Sequence, residues 1–459
     1  TNAGTYKFTS KFHFGILETF GTLEKGELAM TFKLFSINCQ PRTLAGAFIL
    51  LLVASFTPGA QGQSYSAAPT RNPNCPPLQG GFADIFDFAP QEQNGGAASN
   101  LAIDRAGNLY GALAIGGNHT QGLLYKLSQR GSGWLLDPLY NFLGGDNGGN
   151  LGNVVLGPDG ALYGEASTGG IQACGNNGSS FCGEVYRSTP GPTACATALC
   201  GWNEATLYQF NGNTDAWGGT VSAFDHAGNL YGISLSGGAY GQGAVFELTP
   251  SQGGWTEQVI YSFTGGSDGA HPSSLLVGHD GNLYGTALAG GINFGVIFQL
   301  ISSGDSWSEN VLYTFQHLYT AYEPGGLIQD NSGNLYGHAL WSIGGVIWTV
   351  VYELSPIAGR WQYAMLGNRV EREDCNGNNL PRALAFGASG HLYLASGGVD
   401  VDCRPQDSGQ IFDVTSQTSV VHGGVDIFQN LTTDPDGNLY GASATCGADG
   451  GGMVWKLTP

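Results

Sequence analysis

The chain has 459 residues, of which 76 are glycine, about twice the usual share, while charged residues make up only 11%. Its formal net charge is −19, and a surface of that sign repels nucleic acid and anionic lipid, so we expect neither as a partner. The aromatic content of 11% argues against a disordered chain, and glycine without a strict third-position period excludes collagen. Low charge with abundant glycine and aromatic residues predicts many short strands joined by tight turns, and hence an all-β fold.

The first 62 residues differ in character from the rest of the chain. Lys33 and Arg42 precede an apolar run over residues 44–56, and small residues follow at 58–62, which is the pattern of a secretory signal. We therefore interpret 30–62 as a signal cleaved near Gly62, and 1–29 as an extension that either precedes the true start or is disordered. A buried apolar strand or a retained anchor is the alternative. Residues 63–81 are predicted to be a linker, and the protein is predicted to be secreted, without membrane insertion once the signal is removed.

Eight cysteines follow the signal, an even number that an exported protein can oxidise. Pairs that would close short loops suggest disulfides, and the last pair follows only by elimination. The candidate pairs are Cys174 with Cys182, Cys195 with Cys200, Cys375 with Cys403, and Cys75 with Cys446. Zinc ligation is the alternative, but no two of these cysteines have the C-x-x-C spacing.

One pattern recurs seven times from about residue 100 onward, which indicates a tandem repeat. Its anchor is Leu-Tyr followed by Gly, and only Leu394 departs from that glycine. The anchor tyrosines are Tyr110, Tyr163, Tyr231, Tyr284, Tyr336, Tyr393 and Tyr440.

Each repeat is interpreted as four short strands. A hairpin turn such as Asp280-Gly281-Asn282 links the first two strands, and a glycine pair such as Gly290-Gly291 links the second and third. Between the third and fourth strands, a tryptophan recurs six residues before a tyrosine, and we expect these rings to pack between neighbouring sheets. Four strands in each of seven repeats predict a seven-bladed β-propeller over residues 82–459. A parallel solenoid is the alternative.

The two ends of the repeat region complement each other. The chain stops after a third strand, 453–457, and a lone fourth-strand segment, 82–88, lies before the first anchor. We therefore expect the N-terminal strand to complete the last blade and close the ring, which also covers an exposed sheet edge.

These residues resemble the glycine-rich tandem repeat known from secreted bacterial proteins as the GloVer repeat. The similarity rests on Gly281-Asn282-Leu283-Tyr284-Gly285-Thr286, on the glycine pairs, and on Ala244-Val245-Phe246-Glu247-Leu248-Thr249-Pro250. It covers roughly residues 82–459 and implies an exported protein, but it brings no activity with it. A weaker similarity connects the chain to kelch propellers.

Candidate binding residues lie in the loops predicted to join the fourth strand of one blade to the first strand of the next. Such loops converge on one face near the channel of a propeller, where ligands commonly bind. The candidates are Asp146, Asp215, Asp268, His271, His317 and Glu323. The recurring acids could alternatively be turn formers. Glu165 and His338 are added because each follows a Leu-Tyr-Gly anchor at a position that is Ala, Ile or Thr in other repeats.

Motifs of established chemistry are lacking: there is no convincing nucleophile elbow, phosphate loop or HExxH sequence. The segment Asp434–Asn438 resembles the start of a calcium loop, but it lacks the distal Glu and coincides with a hairpin turn. We expect no cofactor, with calcium left open. The sequence thus predicts a secreted, monomeric, non-catalytic binding propeller with a carbohydrate or cell-surface component as its ligand. A hydrolase or lyase acting on carbohydrate or a lactone at the same face is the alternative.

Overall fold

The computed structural model describes residues 7–11, 16–24, 27–32, 81–88 and 100–459, and within the last range it leaves out several short segments. These segments are 115, 146–147, 171, 175–178, 192–200, 213–214, 253, 293, 305, 317–321, 344–345, 372–379, 398–409, 423–430 and 444–451. The chain divides into two units, Thr1–Pro58 and Gly59–Pro459. No helix in the described residues is long and apolar enough to cross a bilayer.

The first unit contains a three-stranded antiparallel sheet, formed by Lys7–Lys11, Ile16–Glu24 and Glu27–Phe32. This sheet covers most of the predicted extension and the start of the predicted signal. The predicted boundaries after residues 29, 62 and 81 stay predictions.

The second unit is a seven-bladed β-propeller, as the repeat predicted, and each blade is an antiparallel sheet of four strands, A to D from the axis outward. In blades 1 to 7, strand A comprises Ala102–Ile103, Gly149–Leu156, Thr220–Phe224, Ala270–Val277, Tyr322–Gln329, Leu380–Phe386 and Thr432–Thr433. Strand B comprises Leu109–Leu113, Leu162–Thr168, Leu230–Ser234, Leu283–Ala289, Leu335–Ile343, Leu392–Gly397 and Leu439–Ser443. Strand C comprises Leu123–Arg130, Glu184–Thr189, Ala244–Ser251, Val296–Ser303, Val346–Ile357, Gln410–Asp413 and Met453–Leu457. Strand D comprises Gly133–Asn141, Asn203–Gln209, Gly254–Ser262, Ser306–Thr314, Arg360–Glu371, Thr418–His422 and, in blade 7, Phe82–Asp87.

Short elements lie between the blade strands. Gln172–Cys174 pairs with Ser179–Phe181, Ala216–Trp217 pairs with Ser236–Gly237, and Ala388–Gly390 forms a 3₁₀ turn.

The predicted ring closure is confirmed. Phe82–Asp87 pairs antiparallel with Met453–Leu457, in a register that places Asp87 opposite Met453 and Phe82 opposite Leu457. The backbone bonds continue beyond the strand, because the Phe88 N–H donates to the Gly452 carbonyl at 3.0 Å. Strand A of blade 7 in turn contacts strand A of blade 1, so the blades form a closed circle.

The hydrophobic core consists of seven clusters, and each cluster fills the space between two adjacent blades. The strand D tryptophans pack across these spaces on the anchor tyrosine of the preceding blade, as predicted. Trp255 lies 5.6 Å from Tyr163, and Trp307 lies 5.9 Å from Tyr231, measured between ring centroids. The predicted inter-sheet role of the aromatic residues is therefore confirmed at these positions.

The turns between strands A and B are held by an aspartate that the repeat preserves. In blade 7, Asp434 accepts the Asn438 backbone N–H at 2.9 Å and the Tyr440 hydroxyl at 2.9 Å. Gly437 between them has φ 81°, which a glycine adopts without strain. The same network recurs around Asp104, Asp225, Asp280 and Asp330. The segment that resembles a calcium loop is therefore a hairpin turn.

Candidate functional site

A cavity of about 540 Å³ lies at the propeller axis, enclosed mainly by strand A of blades 2 to 6. Its wall mixes hydroxyl groups with short apolar side chains. The hydroxyl groups belong to Thr220, Ser222, Ser273 and Ser274, and the larger apolar side chains include Ile233, Leu235, Leu288 and Leu340. The titratable residues of the described lining are Glu323 and His338, and no described lysine or arginine belongs to it. Sequence reasoning did not single out the strand A hydroxyls, because serine and threonine are common throughout this chain.

Glu165 and His338 occupy the same position of strand B, in blades 2 and 5, one residue after the anchor glycine. Both are buried, with 9% and 6% of their surfaces exposed. Glycines in the facing strand A make room for them: a Cβ added to Gly152 would overlap Oε1 of Glu165, and one added to Gly326 would overlap the His338 ring. A large residue after the anchor, with glycine in the preceding strand, is thus the sequence signal for these positions.

Glu165 ties the inner strands of two blades together. Its Oε1 accepts the Asn153 N–H at 2.7 Å in blade 2, and its Oε2 accepts the Val221 N–H at 3.4 Å in blade 3. Burial raises the pKa of Glu165 to about 8, although the backbone N–H donors oppose the rise. The group is therefore mostly protonated at neutral pH. It lies behind the cavity wall, to which Asn153 and Val221 belong.

The third polar residue at this strand B position is Thr286, in blade 4. Its hydroxyl lies 2.9 Å from that of Ser273 and 2.8 Å from that of Ser274. The Ser273 hydroxyl also lies 2.9 Å from the Pro324 carbonyl of blade 5. These hydroxyls fix the wall between blades 4 and 5 and leave a polar surface toward the cavity.

In blades 2 to 5, a left-handed residue lies within two residues of the start of strand A, at the mouth of the channel. The residues are Asn150, Gly218, His271 and Glu323, with φ of 51°, 61°, 56° and 51°. The N–H of each donates to a carbonyl in the B–C segment of the preceding blade; for Glu323 the acceptor is Phe294, at 3.3 Å. Assembly of the ring therefore imposes this conformation, which costs a non-glycine residue about 1 kcal/mol or more.

Two of the predicted acids, Asp215 and Asp268, bond within their own loops and to the end of the strand D before them. Asp215 is 4% exposed and accepts the Asn211 N–H at 3.0 Å and the Tyr208 hydroxyl at 2.8 Å. Asp268 is 8% exposed and accepts the Thr264 N–H at 2.7 Å and the Tyr261 hydroxyl at 3.2 Å. These bonds are those of turn formers.

The structure brings some of the predicted site residues together and separates others. Glu323 and His338 line the cavity, His271 lies at its mouth, and Glu165 lies behind its wall. Asp146 and His317 lie outside the described residues. Contact of any of these side chains with a ligand stays a prediction. The described residues contain no group of three or more His, Cys, Asp or Glu side chains that could hold a metal ion.

Only one of the predicted disulfide cysteines can be placed as a bonded side chain. Cys182 is buried and disulfide-bonded. Cys174 ends a short strand whose partner strand lies immediately before Cys182. The other candidates lie outside the described residues: Cys75, Cys195, Cys200, Cys375, Cys403 and Cys446. The predicted pairing stays a prediction.

Three glutamates of strand D, in blades 2 to 4, form a row of carboxyl groups between the outer strands. Burial raises the pKa of Glu204, Glu257 and Glu309 to about 7 each. A carboxylate beside each adds to the rise: Glu184 beside Glu204, Asp215 beside Glu257, and Asp268 beside Glu309. Each folded-state pKa thus lies above that of the unfolded chain.

We expect the free energy of unfolding to fall as the pH rises from 5 to 8. Between the two pKa values the folded state binds more protons than the unfolded state, so stability is lost as pH rises through the folded pKa. The free energy of unfolding should fall by about 1 kcal/mol per glutamate, a value that allows for screening of these partly exposed groups by solvent. Carboxylates with a lowered pKa, such as Asp104 and Asp434, change the free energy of unfolding only at more acidic pH.

The measurement is the melting temperature across this pH range, for the natural chain and for a variant with all three glutamates changed to glutamine. The variant should show a clearly shallower decline, with the remainder due to Glu165. Equal slopes for the two proteins would show that the row does not titrate in this range.

Comparisons with known proteins agree with the fold. Residues 174–393 match the family model described as the Gloeobacter/Verrucomicrobia repeat. Comparison with curated proteins gives no match.

Solved propellers are similar in structure at low sequence identity. An oligogalacturonate lyase in complex with manganese has 13% identity and a TM-score of 0.50, covering 85% of this chain and 98% of that one. An ulvan lyase has 12% identity and a TM-score of 0.48, covering 82% and 95%. A gluconolactonase from Xanthomonas campestris has 14% identity and a TM-score of 0.32, covering 84% and 98%. At these identities the likeness extends to the fold alone.

The resemblance expected from the repeat motifs is thereby confirmed. The matched stretch runs from the segment between strands B and C of blade 2 to strand B of blade 6, and it includes four of the anchor tyrosines. Residues 174–393 of this propeller are therefore similar in sequence to the Gloeobacter/Verrucomicrobia repeat.

Proposed function

We propose that this chain is an exported, monomeric binding propeller that holds a hydroxyl-rich carbohydrate in its axial cavity. The single observation that carries the proposal is the lining of that cavity. Four hydroxyl side chains are mixed with apolar side chains around a space of about 540 Å³. Ligand pockets usually fall between about 300 and 1,000 Å³ and combine apolar walls with a few polar groups.

Charge narrows the ligand class. The described lining of the cavity contains the Glu323 carboxylate and no lysine or arginine, in a chain of formal net charge −19. A field of that sign disfavours an anionic ligand such as a uronate and is compatible with hydroxyl groups, which can donate hydrogen bonds. The proposed ligand is therefore a non-acidic sugar or short oligosaccharide.

A substitution that fills the cavity tests the proposal. We expect Ser222→Phe to place a ring in the cavity and to weaken binding of a non-acidic oligosaccharide by at least about tenfold, since Ser222 lines the space. Ser303→Phe is the matched control, because Ser303 is exposed at the outer end of strand C in blade 4. The ligand is first identified on a glycan array, with and without calcium, and affinities are then measured by calorimetry.

Equal binding by natural chain and Ser222→Phe would contradict an axial site. A melting temperature for Ser222→Phe close to that of Ser303→Phe would show that lost binding does not reflect unfolding.

A hydrolase or lyase acting on carbohydrate or a lactone is the second candidate, and one observation favours it. Glu165 keeps a proton at neutral pH behind the wall of a cavity that His338 lines, which would suit a general acid. The enzyme would be favoured if the natural chain converts the bound sugar to a product and Glu165→Gln still binds the sugar but forms no product. Binding without any turnover by the natural chain would favour the binding propeller.

A further inference from the structure

Glu323 adopts a backbone conformation that glutamate seldom takes. Asparagine and histidine are enriched in the left-handed region, and glycine enters it freely, so Asn150, His271 and Gly218 suit their positions better than Glu323 does. A following proline biases a residue toward extended backbone, and this bias acts on Glu323, before Pro324, as it does on His271, before Pro272. Since a glycine would make the same N–H bond, the backbone gives no reason for a glutamate here.

The side chain of Glu323 gives such a reason, because it is exposed and lines the cavity. In the described part of the chain, the salt bridges join Arg187 to Asp159 and His391 to Asp413, and neither involves Glu323. A carboxylate held at the mouth of a cavity whose described lining has no lysine or arginine is complementary to a positive group on a ligand.

His271, at the equivalent position of the adjacent blade, presents a second acceptor. Its Nδ1 lies 2.8 Å from the Leu235 carbonyl oxygen, which can only accept a hydrogen bond. In the neutral tautomer that makes this bond, Nδ1 carries the proton and Nε2 is an acceptor. Asn150, two blades away, has its amide nitrogen engaged with the Ser167 hydroxyl at 2.5 Å. The mouth therefore offers acceptors on the side of blades 4 and 5.

We propose that the sugar held in the channel is an amino sugar whose protonated amino group pairs with the Glu323 carboxylate, with His271 as a second acceptor. This inference rests on the proposed carbohydrate-binding function and adds the chemical class of the ligand. A charge-assisted hydrogen bond to an ammonium group is stronger than the bond that a sugar hydroxyl would make in its place. An acetylated amino group has no charge, so acetylation should remove the preference.

Three tetrasaccharides test this inference on the full chain by calorimetry at about pH 7, where an ordinary imidazole can accept a hydrogen bond and the Glu323 carboxylate favours the protonated amine: chitotetraose with free amino groups, its fully N-acetylated form, and cellotetraose. The natural chain should bind the free amine about tenfold more tightly than the other two. Glu323→Gln should bring the three affinities together. Glu323→Gly should do the same while melting at an equal or higher temperature, because glycine relieves the left-handed strain.

Asn150→Gly is the matched control, since it removes a side chain at the same left-handed position in blade 2 and should keep the preference. Equal affinity of the natural chain for all three sugars would overturn the amino-sugar inference while leaving the proposed function standing. Binding of none of the three would overturn the inference and count against the proposed function as well. A preference that survives Glu323→Gln would show that another group selects the amine.

Discussion

A chain that begins at residue 90 is expected to lose cooperative folding at 37 °C or to melt far below the chain that begins at residue 63. The shorter chain lacks Phe82–Asp87, the outermost strand of blade 7, which pairs with Met453–Leu457 along its whole length. Its removal uncovers a sheet edge at a point where the ring must close, and such edges promote aggregation.

The side chains of the closing strand explain the size of the effect. Phe82 stacks on the fully buried Trp455 with ring centroids 4.9 Å apart, and Phe88 packs on Tyr125 of blade 1 at 5.1 Å. Removing one buried aromatic side chain usually costs about 3–5 kcal/mol. The loss of the buried Phe88 and the half-buried Phe82, with the backbone bonds of a strand, approaches the total stability of about 5–15 kcal/mol that typical domains have.

Melting curves and size-exclusion profiles of the two chains provide the measurement. The chain from residue 63 is the control, because it keeps the closing strand and lacks only the segment before it. A chain from residue 90 that remains monomeric and melts at the same temperature would show that the ring does not depend on this strand.

The fold could be predicted from the sequence because the blades repeat the same strand and turn motifs. The Leu-Tyr-Gly anchor, the aspartate turn and the strand D tryptophan each have a defined partner, and those partners recur at fixed spacing. The lone segment at residues 82–88 could be assigned to blade 7 because the last repeat is one strand short. The pattern sufficed, since most blade interfaces repeat the same contacts.

The site was less predictable because it depends on side-chain direction and on departures from the repeat. Asp215 and Asp268 stood out by recurrence, yet their oxygens bond within their own loops. Glu165 and His338 stood out by irregularity, and the structure places them at the cavity wall. Glu323 was selected for its charge, whereas its left-handed backbone becomes visible only from its equivalence with Gly218.

Changing Gly285 to alanine is expected to destabilise the propeller by about 3 kcal/mol, because this anchor glycine faces an aromatic ring. A Cβ at Gly285 would overlap the ring of Phe298, which strand C places directly opposite, and would lie 2.6 Å from the Ser274 carbonyl oxygen. The anchor glycines of other blades face rings in the same way, at Tyr125, Tyr186, Phe246, Tyr352 and Trp455. Blade 6, whose anchor has Leu394, pairs it with a less buried Phe412.

A double-mutant cycle with Phe298→Ala isolates the overlap with the ring. Phe298→Ala alone should lower the free energy of unfolding by about 3–5 kcal/mol, because it leaves a cavity. In the Phe298→Ala background, Gly285→Ala should cost no more than about half of what it costs in the natural chain. That remaining cost comes from the overlap of the new Cβ with the carbonyl oxygen of Ser274. Gly133→Ala is the control for a glycine in a strand, since it is exposed and its nearest atom to a new Cβ, the Arg130 carbonyl oxygen, lies 4.0 Å away. Chemical denaturation of the five proteins gives the free energies of unfolding. If Gly285→Ala lowered the free energy of unfolding equally with and without the Phe298 ring, backbone geometry would be the reason for glycine at this position, and the facing ring would not.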